Sequence, residues 1–383
     1  MSSSQFLEAQ TRMLTRIQAT RDAGLSGVPH WADTETGEWT TTPDGDWTGG
    51  GWVGQLWLAH TIDPAGFSLT DAHHALELIT PRMFKQTVFK GYGFYCGAAI
   101  GDLLTGDPHA RETALQAAKS LAEMFDERLG LIPLGEDAEE ASSTGAAESS
   151  IDSLLASPLL FWAASELGDA RVEEVAIRHT QRVLVNHVRE DGSVVQSSTL
   201  DPSTGAVLKT HTHKGYSDTS TWGRAQAWAM IFSAHAAVVR PAEPVWREYA
   251  RRTADWWIAN VPADKISFWD FADPAIPDTS RDTAASAIAT AAFLRLSHAL
   301  GAGDGSRYAQ MARETASALV SGYLTPCRPD DTRPSGILTG GCFTRRSTVR
   351  SVDAATDVEL IFGSYFLFES LAVLAGSIPA GRI

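Results

Sequence analysis

The chain has 383 residues, 44% of them hydrophobic, enough to bury one large core or two moderate ones. Its net charge of −15 disfavours nucleic acid as a partner but admits a small anionic ligand, because a local basic pocket overrides the mean field. Three cysteines (Cys96, Cys327, Cys342) without CxxC spacing argue against a disulfide framework or a structural zinc site and fit a reducing cytoplasm.

In chain order, the first predicted element covers residues 5–22, and MSSSQFLEAQTRMLTRIQAT (1–20) reads as an amphipathic helix pattern with no signal-peptide core. Helical periodicity recurs over 50–63, 69–84, 92–105, 109–126, 150–167, 170–187, 221–238, 244–260, 282–299, 305–321 and 356–374, twelve predicted helices in all. Strand-like pieces are confined to connections, such as Ser193–Ser197 ahead of the turn former Asp201–Gly205. The lack of βαβ alternation excludes the doubly wound folds. No run approaches about eighteen consecutive apolar residues, so no membrane span is expected, and the expected location is cytoplasmic.

Taken in pairs, the helices repeat about every 60 residues. The second helix of each pair has a chemically rich entrance: DWTGGGW (46–52), FKGYGF (89–94), ESSIDSLL (148–155), TSTWGRAQAW (219–228), RDTAASA (281–287) and TDVELIFGSY (356–365). Six hairpins whose second helices begin in Gly, aromatic and charged residues predict a closed α/α toroid, with the inner helices aiming their N-termini at one mouth. An open solenoid is the alternative, but no polar capping repeat is visible. The expected organisation is a single barrel domain over residues 1–383, all-α, with oligomeric state left open.

The stretch His211–Trp228, HTHKGYSDTSTWGRAQAW, carries the strongest chemical signal. A polar loop enters a helix there, with Arg224 and the Tyr216, Trp222 and Trp228 rings at the junction. Orphan N–H groups at a helix start suit an anion, and flat rings beside an arginine suit a sugar bearing a carboxylate. The same residues also fit a buried Trp pair with Arg224 as a structural ion-pair partner. Asp152 heads the helix IDSLLASPLLFWAASELGD. A carboxylate there ordinarily caps the helix, but Ser149 and Ser150 are equally able to cap, which frees Asp152 to act as a general acid/base. Asp282 has the same capping role open to it, Arg281 has Asp270 or Asp278 as candidate partners, and Asp270 sits between Trp269 and Phe271. The His211-x-His213 pair has metal-ligand spacing but no further ligands nearby, and Gly49–Gly51 lacks the Lys-Ser/Thr of a phosphate loop, so neither metal nor cofactor is expected.

These motifs resemble the unsaturated glucuronyl hydrolases, glycoside hydrolase family 88. The resemblance rests on IDSLLASPLLFWAASELGD (151–169), THKGYSDTSTWGRAQAW (212–228), WDFADPAIPDTSRDTAASAIA (269–289), DWTGGGWVGQLWL (46–58) and GSYFLFESL (363–371), in the family's order along nearly the whole chain. It implies an (α/α)6 barrel acting on sugars that carry a 4,5-unsaturated uronic acid at the non-reducing end. One aspartate, matched by Asp152, protonates the vinyl ether and water adds at C5. Trp47, Trp222, Arg224 and Trp228 match substrate-contacting positions.

Several positions depart from the family's pattern. The second aspartate of its His-Asp-x-Gly-Phe run is Gly91 here and the preceding His is Lys90. A further family His is Gln196, the Gln following His213 is Lys214, and Gly-Asp-Tyr-Tyr reads Gly363-Ser364-Tyr365-Phe366. With Lys90, His213 and Lys214 facing the sugar, the pocket is expected to favour a more anionic ligand, and the two lysines to lower the pKa of Asp152. Three activities follow: hydration of an unsaturated uronyl glycoside by Asp152 alone, elimination or hydrolysis on another anionic glycoside in a biosynthetic pathway, or sugar-acid binding without catalysis.

Overall fold

The computed structural model describes residues 1–141, 145, 148–346 and 351–383. Its helices form two concentric layers. Six outer helices span Ser3–Asp22, Leu69–Ile79, Pro108–Ala122, Ala170–His187, Pro244–Asn260 and Ser306–Gly322. Each buries one stripe: in the first, Phe6, Ala9, Met13 and Ile17 recur every three to four residues and face inward.

The inner layer consists of Gly50–Ile62, the runs 90–105 and 151–167, Gly223–Val239, Thr283–Asp304 and Ile361–Ala375. These helices are apolar around most of their circumference, and every residue from Gly223 to Ala237 is buried. Small residues let them approach: a Cβ on Gly50 would lie 2.5 Å from Gly93 O, and one on Gly363 would lie 2.7 Å from Ala284 Cβ. Each inner helix packs on the next, and Ile361–Ala375 returns to Gly50–Ile62, which closes the ring. The six-hairpin toroid read from the sequence is therefore the observed architecture, an (α/α)6 barrel.

The element boundaries differ where proline or strand pairing intervenes. Residues 150–167 begin as a 3-10 turn, Ile151–Ala156, and become α-helical at Ser157, because Pro158 has no N–H to continue the ladder back to Leu154. Helix 69–84 likewise ends at Ile79, and Thr80–Phe84 is a 3-10 turn containing Pro81. A π-turn, Tyr95–Ala99, interrupts the run 90–105. The expected helix 356–374 starts only at Ile361; Thr356–Leu360 is a strand pairing with Val28–Ala32 and Gly341–Cys342. The strand expected at Ser193–Ser197 instead runs Ser197–Leu200.

Among the described residues, two small antiparallel sheets lie in the connections. The strand of Ser149–Ser150 pairs with Ser197–Leu200, which pairs with Val207–His211. This three-stranded sheet ends beside the start of the third inner helix, so it sets Asp152, Gln196 and the loop after His211 next to one another. Among the described residues no helix is long and apolar enough to cross a membrane.

Candidate active site

Ser150 takes the capping role at the third inner helix. Its hydroxyl accepts from Asp152 N at 3.2 Å and donates to Asp152 Oδ2 at 2.9 Å. Asp152 is thereby released from capping, yet is only 3% exposed. Gln196 Nε2 lies 3.4 Å from the same Oδ2. Burial pushes the Asp152 carboxyl above its ordinary range and the charge of Glu140 adds to the rise, against the opposing pull of Lys214, His213 and Ser150. The lowering expected of the lysines comes from Lys214 but is outweighed by burial and Glu140.

Glu140 is the residue the sequence did not disclose. It closes the acidic run Gly135–Glu140, which reads locally as solvated surface, but its side chain is buried. One carboxylate oxygen pairs with Lys214 Nζ, and the other lies 3.0 Å from His213 Nε2. Burial alone would raise the Glu140 carboxyl; the Lys214 ammonium and His213 outweigh it and hold it well below the ordinary range. Gln196 Oε1 orders the loop carrying both partners, accepting from Thr212 Oγ1 at 2.7 Å, Lys214 N at 3.0 Å and His213 N at 3.2 Å.

Lys214 is also enclosed by rings. Its Nζ lies 5.4 Å from the Trp222 centroid, 5.7 Å from Phe343 and 5.9 Å from Trp47. Trp47 packs against Tyr92, Phe89, Phe343, Phe362 and Trp228, so rings from several inner-helix entrances meet on it. Trp228 belongs deeper in the barrel: it is fully buried and stacks on Phe232 at 5.6 Å.

Arg224 is brought to this wall, 4.6 Å from the Trp222 ring, but its charge is already used. It pairs with Asp282 at 2.7 Å and donates to the carbonyls of Cys342 and Phe343. Lys90 does not join the group. Its Nζ donates to Met83 O at 3.1 Å and Ser120 Oγ at 2.9 Å, which ties the inner run 90–105 to the outer helix Pro108–Ala122. Burial lowers its pKa to about 8, with Asp137 and Glu123 opposing. The expectation that Lys90 faces a sugar is corrected accordingly.

The other carboxylates are structural. Asp270 accepts from Tyr216 N, Ser220 Oγ and Ala272 N and ties the 212–222 loop together. Asp218 accepts from Thr212 N, and Arg281 pairs with Asp264 rather than Asp270 or Asp278. At Gly91 no side chain fits, since a Cβ would lie 2.4 Å from Ala156 Cα and 2.8 Å from Leu155 O. The backbone of the Ile151–Ala156 turn occupies the space where the resemblance places a second carboxylate. Among the described residues no group of three His, Cys, Asp or Glu side chains is arranged to hold a metal ion.

A ring of six hairpins, with a buried carboxyl at one inner-helix start and a wall of tryptophans beside a charged cluster, defines an (α/α)6 barrel of the six-hairpin glycosidase type. No protein-family model matches the chain. It is 28% identical over 355 residues to the unsaturated glucuronyl hydrolase of Bacillus sp. (strain GL1), covering 90% of this chain and 89% of that protein. It is also 28% identical to the unsaturated chondroitin disaccharide hydrolase of Streptococcus pneumoniae, covering 85% of this chain and 81% of that protein. The crystal structure of the Bacillus sp. GL1 enzyme superposes with a TM-score of 0.86 at 28% identity, covering 96% of both chains. Over most of its length the chain is thus similar to unsaturated glucuronyl hydrolases in both sequence and fold.

Proposed function

We propose that this protein hydrolyses glycosides whose non-reducing sugar is a 4,5-unsaturated uronic acid, with Asp152 as general acid and then general base. The observation that carries the reading is the Asp152 carboxyl itself: buried, freed from helix capping by Ser150, and held above its ordinary pKa next to Gln196 and the Glu140–Lys214–His213 cluster. A carboxyl held above its ordinary range keeps its proton to higher pH and can donate it to carbon. The relatives support the substrate class. They are named for unsaturated glucuronyl and chondroitin disaccharide hydrolysis, and a related hydrolase at 27% identity has been solved with dGlcA-Glc-Rha-Glc.

In this reading the proton of Asp152 passes to C4 of the vinyl ether, and positive charge develops at C5 and the ring oxygen. Water adds to C5, and the Asp152 carboxylate takes its proton. The resulting hemiketal opens and the aglycone leaves, so one water is consumed overall. This differs from displacement between two carboxylates. Trp47 and Trp222 form the sugar-facing wall around Lys214, whose ammonium, shared with Glu140, and the adjacent His213 ring meet the uronate. Arg224 acts behind Trp222 by fixing that ring, and Trp228 forms the floor.

The test is ultraviolet absorbance of the conjugated C4=C5 bond with lyase-generated unsaturated disaccharides. Decay that disappears in Asp152→Asn is expected. Folded wild-type protein that leaves every member of the panel unchanged would overturn the reading.

A further inference from the structure

Glu140 is placed where a merely structural ion pair gains little. Both of its oxygens are engaged, its partners Lys214 and His213 are as buried as it is, and the three groups come from two separate connections. Taking such charges out of water costs about as much as their attraction returns, so a buried pair is weak evidence of a stabilising role. Its position is more informative. Gln196 Nε2 lies 3.4 Å from Asp152 Oδ2 and 3.2 Å from His213 Nε2, so the cluster adjoins the Asp152 carboxyl through one amide.

We propose that Glu140 is a positioning residue for the reaction: it anchors Lys214 and His213 with its two carboxylate oxygens and so balances the charge that faces Asp152. The proposal rests on the reading of Asp152 as proton donor. Several elements contribute the groups around Asp152. The 135–141 connection contributes Glu140, and the loop after His211 contributes His213 and Lys214. The strand Ser149–Ser150 contributes the Ser150 hydroxyl, and residue 196 contributes the neutral Gln196 amide. On the outer helix behind it, burial keeps His179 and His187 neutral near pH 7, with pKa values of about 4 and about 3; they bond to Ser153 O and Ser149 Oγ. Without Glu140, the groups acting on Asp152 from this cluster, among the described residues, would be Lys214 and His213. Both favour the carboxylate, and a carboxylate cannot start the reaction.

The sign follows. A proton donor is active below its pKa, and activity falls as pH rises through it. In Glu140→Gln the descending limb of kcat/KM should move to lower pH by about one unit, a roughly 10-fold loss above that limb. In Glu140→Gln/Lys214→Met, which removes both members of the ion pair, the limb should return towards wild type. The Asp152 carboxyl can also be titrated without substrate by carbon NMR of aspartate-labelled protein, with its resonance assigned through Asp152→Asn. Its midpoint should fall in Glu140→Gln and recover in the double variant. Unmoved midpoints and limbs would overturn the proposal, as would a double variant as displaced as the single one. Should Glu140→Gln fail to fold, the double variant decides alone: a wild-type midpoint supports the balance and a lowered one refutes it. Shifted midpoints with no turnover by any form, wild type included, would sink the proposed reaction and leave the charge balance standing.

Discussion

Arg224 and Asp282 form a fully buried ion pair, 2.7 Å long, between the first turns of two adjacent inner helices. The same Asp282 accepts from Ala285 N as the helix cap, and Arg224 reaches across to the Cys342 and Phe343 carbonyls. One pair thus ties two inner helices to the strand Gly341–Cys342. Removing one partner of a buried pair leaves the other charge uncompensated, at a cost of about 3–5 kcal/mol. Asp282→Asn and Arg224→Met are therefore expected to lower stability by that order in denaturant unfolding. A wild-type midpoint in both would show that the pair does not join the helices.

Restoring an aspartate at Gly91 should not improve the enzyme. The Cβ alone would meet Ala156 Cα at 2.4 Å, and the obstacle is backbone, which cannot swing aside. Overpacking of this kind costs about 1–3 kcal/mol. Gly91→Ala should show that loss in thermal unfolding, and Gly91→Asp should lose turnover as well. A gain in turnover with Gly91→Asp would show that the Ile151–Ala156 turn can retreat.

Lys90 should behave as a buried strut. Its folded pKa, about 8, lies below its ordinary 10.5, so the unfolded chain binds more protons between those values. The lysine therefore penalises folding below about pH 8, and the penalty fades as pH rises towards 10.5. Lys90→Met should remove this rise relative to wild type and leave KM unchanged. Parallel stability curves for the two proteins over that range would contradict the assignment.

Trp228 and Trp222 should separate in their effects. Trp228 stacks on Phe232 inside the barrel, so Trp228→Ala should cost about 3–5 kcal/mol of stability. Trp222 faces Lys214 at the wall, and Trp222→Leu should raise KM several-fold with a smaller loss of stability. Equal loss of stability in both variants would show that the buried Trp222 serves packing rather than the sugar.

Much of this was legible in the amino-acid order. Twelve runs of 3.6-residue periodicity, paired at a regular interval, prescribe six hairpins because a helix buries its apolar stripe wherever that stripe falls. The Gly-, aromatic- and charge-rich entrances mark the inner helices, since only small residues permit the approach seen between Gly50 and Gly93. Asp152 stood out because two serines before it could cap in its place, as Ser150 does. The tertiary structure alone decided which charges meet. Arg224 finds Asp282 across 58 residues and Lys214 finds Glu140 across 74, separations over which local pattern carries no information. The turn away of Lys90, the strand Thr356–Leu360 and the closed space at Gly91 have the same origin. Each depends on what a distant segment places beside it, and that is determined only when the ring closes.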